Sequence, residues 1–330
     1  MSTPAISVLM SVHNDDRFLD SALESIRAQS FADFELLVMD DGSSDSSPAI
    51  LARQSQQDPR IRILTQENRG LVVALNRLLG EARAPLVARM DADDIALPDR
   101  FALQHAFLDD HKDVGCLGTH ADLIDEGGHL LTGAPARGLM HDAIMADARS
   151  GIPVLHPSIM VRTDALRAVG GYRTPFRTAQ DYDLYLRLAE TTRLANLPET
   201  LLQYRVHAKQ VSSSRLVQQT LSAVVAWQSA EARRRGEVDP VDALTVLPPM
   251  EALDTLFDRP GITAEARARI VERVLFDPDL LAGDAQTILR DHIRETPARA
   301  PLWRAAARMA RAGHIAPATR TLAALIGAHL

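Results

Sequence analysis

The sequence predicts an α/β domain with a mostly parallel sheet, followed by an all-helical region. Three observations carry this. Short β-branched or apolar runs alternate with amphipathic stretches from residue 5 to about 120, acidic clusters close two of those runs, and strand-like runs largely disappear beyond residue 215.

Taken in order, residues 6–10 read as the first strand, and Phe18, Leu19, Ala22, Leu23 and Ile26 fall at helical spacing behind it. A second strand covers 36–39. The turn Asp41-Gly42-Ser43-Ser44 leads to a helix near 47–55, and a third strand covers 61–64. Gly70 then opens a helix bearing Leu71, Ala74, Leu75, Leu78 and Leu79, and residues 86–90 make the next strand. Between 120 and 215 the candidates are helices at 139–149 and 179–190 and strand-like runs at 157–162 and 201–206. Beyond 215, apolar residues recur on helical faces, and prolines from Pro240 to Pro317 cut the region into short helices. Trp227 and Trp303 read as helix-packing anchors and Arg233-Arg234-Arg235 as a solvated helix face.

At 330 residues the chain has room for two domains, read as 1–215 and 216–330. It carries 36 basic against 43 acidic residues, so nucleic acid is not an expected partner. All of the −7 net charge lies before residue 216, where 22 basic residues face 29 acidic ones. Cys116 is the only cysteine, which fits a reducing compartment. There is no basic, apolar leader, and no apolar run approaches the roughly 20 residues that span a membrane. The expected location is the cytoplasm.

In open α/β sheets ligands bind beyond the carboxyl ends of the strands. Asp40 and Asp41 end the second strand, and Asp91, Asp93 and Asp94 end a later one, so the fold would gather five carboxylates along one edge. As turn and cap residues they need no ligand. A divalent cation, Mg²⁺ or Mn²⁺ on phosphate oxygens, would relieve their mutual repulsion. Asn68-Arg69-Gly70 reads as a helix start at which Arg69 can also neutralise phosphate, and Gly170-Gly171 as a tight turn before Tyr172.

The chain resembles glycosyltransferase family 2, whose catalytic domain has the GT-A fold, over about residues 4–210. The resemblance rests on Ile6 to Asn14, Asp40-Asp41-Gly42-Ser43-Ser44-Asp45, Asn68-Arg69-Gly70, Asp91-Ala92-Asp93-Asp94, Gly170-Gly171-Tyr172, Gln180-Asp181-Tyr182-Asp183-Leu184 and Tyr204-Arg205-Val206-His207. It implies an inverting transferase that uses a nucleoside diphosphate sugar, read as a UDP sugar, and a glycan, lipid-linked or protein-linked acceptor. Ser11 and Asp41, with Asp40 nearby, would bind the base of the donor. Asp93 would hold Mn²⁺ or Mg²⁺, Asp91 would bind ribose or metal, and His207 would approach diphosphate or metal. Asp181 would act as general base, although Gln180 stands where most members have Glu. His156 is a weaker candidate for the acceptor side.

Two other readings compete. A sugar-phosphate nucleotidyltransferase requires a glycine-rich phosphate loop after the first strand, where this chain has Ser11 to Arg17 without glycine. A non-catalytic nucleotide-sugar-binding scaffold is kept open by Gln180. The helical region is assigned to acceptor choice, homodimerisation or partner docking, and peripheral contact with the inner membrane follows from the resemblance alone.

Overall fold

The chain is described from a computed structural model over residues 3–135, 137–207, 215–283, 285–295 and 300–327. It divides into two compact units, Met1–Ala208 and Lys209–Leu330.

The first unit is built on β1 (Ile6–Val12), β2 (Phe34–Asp41), β3 (Ile61–Gln66) and β4 (Leu86–Met90), paired in parallel in the order β3-β2-β1-β4. Period-two alternation sends Ile6, Val8 and Met10 to one face and Leu9 to the other, so β1 is buried on both sides. On the first face, Leu19, Ala22, Leu23 and Ile26 of helix α1 (Asp16–Arg27) complete the core. Helix α2 (Ser47–Gln57) adds Leu51 to it. On the second face, helix α3 (Leu71–Glu81) contributes Val72, Leu75 and Leu78.

Beyond β4 the sheet becomes mixed. The two-residue β5 (Ile95–Ala96) runs antiparallel to β9 (Arg193–Arg205), which lies parallel to β6 (Val114–Ile124). The hairpin strand β7 (Leu130–Gly133) pairs with β6, and β8 (Met160–Arg162) runs antiparallel to both β4 and β6. Helix α4 (Arg100–Asp110) adds Phe101 and Leu108 to the first core, while α7 (Gln180–Leu188) adds Leu184, Tyr185 and Leu188 to the second.

The expected strand at 201–206 is the end of a strand that begins at Arg193. Its early half was hidden because Pro198 and Glu199 sit at a register break opposite Thr119 and His120, where a proline can be accommodated. The strand-like run at 157–162 divides into a 3₁₀ turn, His156–Ser158, and β8. Gly170 and Gly171, with φ +78° and +66°, form the tight turn expected before Tyr172. A Cβ on Gly171 would lie 2.7 Å from Asn76 Oδ1, which accepts the Tyr172 amide.

Beyond residue 215 the described elements are helices and short 3₁₀ turns, including Leu216–Arg234 and Ile262–Val274, whose buried residues include Val224, Val225, Ile270, Val271 and Val274. Two expectations change here. Trp303 is 40% exposed and so is not a fully packed anchor. The Arg233-Arg234-Arg235 run is paired rather than merely solvated: Arg233 meets buried Asp239, Arg234 meets Glu231 and Arg235 meets Glu237. Among the described residues no helix is long and apolar enough to cross a membrane.

One buried carboxylate ties the start of the parallel strands together. Glu35 on β2 accepts from Ser7 Oγ on β1 at 2.7 Å, from Arg83 Nη2 before β4 at 2.6 Å and from Arg62 Nη1 on β3 at 3.0 Å. Burial pushes its pKa up, but these donors outweigh burial and hold it below the ordinary glutamate range. Its contribution is therefore present above that range and lost as pH falls through the lower folded value. Glu35→Gln is expected to cost about 2 kcal/mol at neutral pH, since the amide oxygen can still accept from Ser7 but the amide NH2 then faces Arg62 and Arg83 where a charged oxygen accepted from both. Urea unfolding checks this, and the cost should shrink on acidification; a pH-independent difference would contradict the ionic role.

Candidate active site

The carboxyl ends of β1, β2 and β4 share one edge, since Val12 lies beside Asp40 and Met10 beside Met90. The loops that leave this edge carry most of the polar residues singled out in the sequence.

Asp40 accepts the Ser43 amide at 2.9 Å, closing the turn after β2. Gly42 is required there: its φ is +75°, and a Cβ would lie 2.8 Å from the Asn68 amide nitrogen. Asp41 is 2% exposed, and its carboxylate is turned into the loop after β3. It accepts from Gln66 Nε2 at 2.6 Å, the Arg69 amide at 2.9 Å and the Gly70 amide at 2.8 Å. A buried carboxylate needs donors, and these amides are the ones within reach. Asp41 therefore shapes the Asn68–Gly70 loop, while the Arg69 side chain projects to solvent. His13 completes this rim. Its Nδ1 faces the Asp41 carbonyl at 2.9 Å and must carry the proton, which leaves Nε2 to accept from Asn68 Nδ2 at 2.9 Å. Ser11, near the end of β1, is half-buried.

The second group is centred on the turn after β4. One carboxylate oxygen from each of Asp91, Asp93 and Asp94 falls within 4.8 Å of the others. The end of β9 closes over this turn: the Arg205 amide donates to Asp94 Oδ1 at 2.8 Å and Arg205 Nε to the Asp93 carbonyl at 2.7 Å. His207 Nε2 meets Asp93 Oδ2 at 2.9 Å. From below, Arg89 Nη2 pairs with Asp91 Oδ1. Arg100, wholly buried, donates to the Arg89 carbonyl at 2.7 Å, and burial pushes its pKa down to about 9.

These partners do not satisfy the acids. Asp94 is completely buried, and among the described residues its Oδ2 has no hydrogen-bond partner. Burial first, then the charges of Asp91 and Asp93, push its carboxyl well above the usual aspartate range, and Asp93 is raised by the same two effects. Three hard oxygen donors with one buried oxygen unspent are a donor set that suits Mg²⁺ or Mn²⁺. Asp15 at the start of α1 belongs to the same field. Its pKa is raised to about 6, chiefly by burial and further by Asp93 and Asp91. Sequence reading passed over Asp15, although it too follows a strand of the same edge.

Asp181 lies in the first turn of α7, immediately after Gln180, and accepts the Tyr182 amide at 2.8 Å. The preceding Ala179 has φ +54°, a left-handed conformation that costs a non-glycine residue roughly 1 kcal/mol or more. Desolvation raises the Asp181 carboxyl above the ordinary range; the Asp91 charge adds to this and Arg89 opposes it. Asp181 is thus electrostatically tied to the cluster after β4. The Asp41 carboxylate is spent instead on hydrogen bonds from the loop after β3. His156 is buried, with Nε2 2.8 Å from the Tyr172 hydroxyl. Burial and the Arg89 charge hold it well below the usual histidine range, so it is neutral and inside the protein rather than on an acceptor surface.

The chain is similar to known proteins in sequence and in fold. The family described as Glycosyl transferase family 2 matches residues 7–167. The putative glycosyltransferase EpsE of Bacillus subtilis is 35% identical over 213 residues, covering 62% of this chain and 74% of EpsE. The O-antigen biosynthesis glycosyltransferase WbnJ of Escherichia coli is 33% identical over 215 residues, covering 64% of this chain and 83% of WbnJ. The crystal structure of TarS residues 1–349 from S. aureus in complex with UDP-GlcNAc superposes with a TM-score of 0.60. That match has 17% identity and covers 98% of this chain and 88% of TarS 1–349, so it is a likeness of fold, the GT-A architecture.

Asp94→Asn removes a carboxylate that the fold disfavours in its ionised form. A raised folded pKa costs stability that grows as pH rises above the ordinary aspartate range and is complete above the folded value, so the gain increases with pH over that window and vanishes below the ordinary aspartate range. Without divalent metal the unfolding midpoint is expected to rise by about 2–4 °C, the shift that 1 kcal/mol gives a domain of this size. Calorimetry in chelator checks this, and an unchanged or lower midpoint would mean that the charge is already compensated.

Proposed function

This chain belongs to glycosyltransferase family 2 and is a glycosyltransferase, and we propose that it moves a sugar from a nucleoside diphosphate sugar to an acceptor hydroxyl with inversion. Family membership favours this over a nucleotidyltransferase or a silent scaffold. The donor is read as a UDP sugar, which TarS 1–349 carries in its complex. The acceptor is read as a growing glycan on a lipid or protein carrier, in keeping with the role in O-antigen biosynthesis that WbnJ bears in its name.

The observation that carries the reading is the cluster of Asp91, Asp93 and Asp94 within electrostatic reach of Asp181. A displacement at an anomeric carbon needs a group to take the acceptor proton, an in-line approach and relief of charge on the departing diphosphate. Asp181, ionised, takes the proton as the acceptor oxygen forms its bond to the anomeric carbon and the bond to the diphosphate breaks. Gln180 leaves this base without a second carboxylate beside it. Ser11 and Asp40 line the base and ribose end of the donor, and Asp41 acts through the loop that presents Arg69 to the phosphates. Asp91 and Asp93 would hold Mn²⁺ or Mg²⁺, with His207 orienting Asp93. Bound there, the cation supplies positive charge to the diphosphate.

Two results test this. In a thermal-shift screen, a UDP sugar with Mn²⁺ should raise the unfolding midpoint, as ligand at a hundred times its dissociation constant contributes about 2.7 kcal/mol; no shift with any nucleotide sugar would contradict the reading. Asp181→Asn should lower turnover roughly a thousandfold with donor binding retained. Since the base works ionised and its pKa is raised, wild-type turnover should fall as pH drops through a value above the ordinary aspartate range. Full activity in Asp181→Asn, or an acid limb at the ordinary value, would remove Asp181 from that role.

A further inference from the structure

Arg89 stands two residues before Asp91 on β4, and it is 1% exposed. By the alternation of the strand it shares the sheet face of Val87, the face covered by Tyr172, Leu184 and Tyr185. Its Nη2 pairs with Asp91, but among the described residues its buried Nε and Nη1 have no hydrogen-bond partner. On the same face Tyr185, one turn after Asp181, has a buried hydroxyl that is also without a partner. An apolar side chain at position 89 would serve the core better, since buried unpaired N–H groups cost stability and a buried ion pair is often no better than a hydrophobic replacement. The backbone here is fixed independently, because Arg100 holds the Arg89 carbonyl. The Arg89 guanidinium is therefore not needed to build the turn. What it does is restrain one oxygen of Asp91.

We propose that Arg89 is a positioning residue for the transfer reaction. From inside the sheet it fixes the Asp91 carboxylate, so that the remaining oxygen of that acid is presented to the cation and diphosphate of the donor. The inference rests on the reading that Asp91 binds that end of the donor. Groups that orient a metal-binding carboxylate from behind are worth about tenfold or more in metal affinity. A guanidinium does this from a planar, weakly hydrated group that stays charged when buried, which the flexible, strongly hydrated ammonium of lysine does not reproduce.

The test is UDP binding to the full-length protein by calorimetry, in Mn²⁺ and in chelator, for wild type, Arg89→Met and Arg89→Lys. Arg89→Met fills the same apolar channel without the charge; because it also takes counter-charge from Asp91, Asp94 and Asp181, its unfolding temperature should lie below that of wild type. Its affinity for UDP in Mn²⁺ should fall about tenfold, while its affinity in chelator stays that of wild type. Arg89→Lys should lose less, about threefold, again only in Mn²⁺. It carries the comparison alone if Arg89→Met does not fold. Wild-type affinity in Mn²⁺ for either variant would overturn the inference, and so would equal losses with and without Mn²⁺, which mark a general packing role. A wild-type protein that binds no UDP in Mn²⁺ would instead overturn the proposed function, and this inference with it.

Discussion

Like charge crowded into a dry place is the constraint around which the first unit is arranged. One carboxylate oxygen from each of Asp91, Asp93 and Asp94 lies within 4.8 Å of the others just after β4, and Asp15, immediately before α1, feels the charges of Asp93 and Asp91. Isolated carboxylates in such surroundings either find counter-charge or take up protons. The protein supplies Arg89, Arg100 and the Arg205 amide, with His207 against Asp93, and stops short of satisfying Asp94 Oδ2. In the function proposed for this chain, a cation bound with the donor would fill the remaining deficit.

The topology makes this crowding achievable. Parallel pairing of β1, β2 and β4 aligns their carboxyl ends, while β9 returns to the same turn from more than a hundred residues downstream. The two loops then divide the work. After β2, Asp41 builds a scaffold of backbone amides around Asn68 to Gly70. After β4, Asp91 adds to the field that raises Asp181.

Much of this could be read in the sequence because its signals are local. The strands at 6–10 and 86–90, the helix opened by Gly70 and the acids that end β2 and β4 follow from short-range periodicity and turn chemistry. The mixed half of the sheet was harder. β6 is interrupted by Gly115 and Gly118, and β9 by Pro198, so neither shows a clean strand pattern. Side-chain roles set by distant partners were not legible at all. Nothing near Asp41 in the chain announces that its acceptor capacity is spent on residues 66–70, and nothing near Arg89 separates a buried arginine from a surface one. Tyr204-Arg205-Val206-His207 drew notice as a motif, but that it clamps Asp93 and Asp94 depends on contacts spanning 111 to 114 residues.

The central claim is that the uncompensated acids after β4 hold a divalent cation together with the donor diphosphate. Electron paramagnetic resonance of Mn²⁺ titrated with the full-length protein and UDP tests it most directly. The account requires the free-ion signal to disappear at one Mn²⁺ per chain, with phosphorus coupling from the diphosphate, and requires Asp91→Ala and Asp93→Ala to abolish both changes. A free-ion signal that persists in the presence of protein and UDP, or one that disappears equally in the two variants, would contradict it.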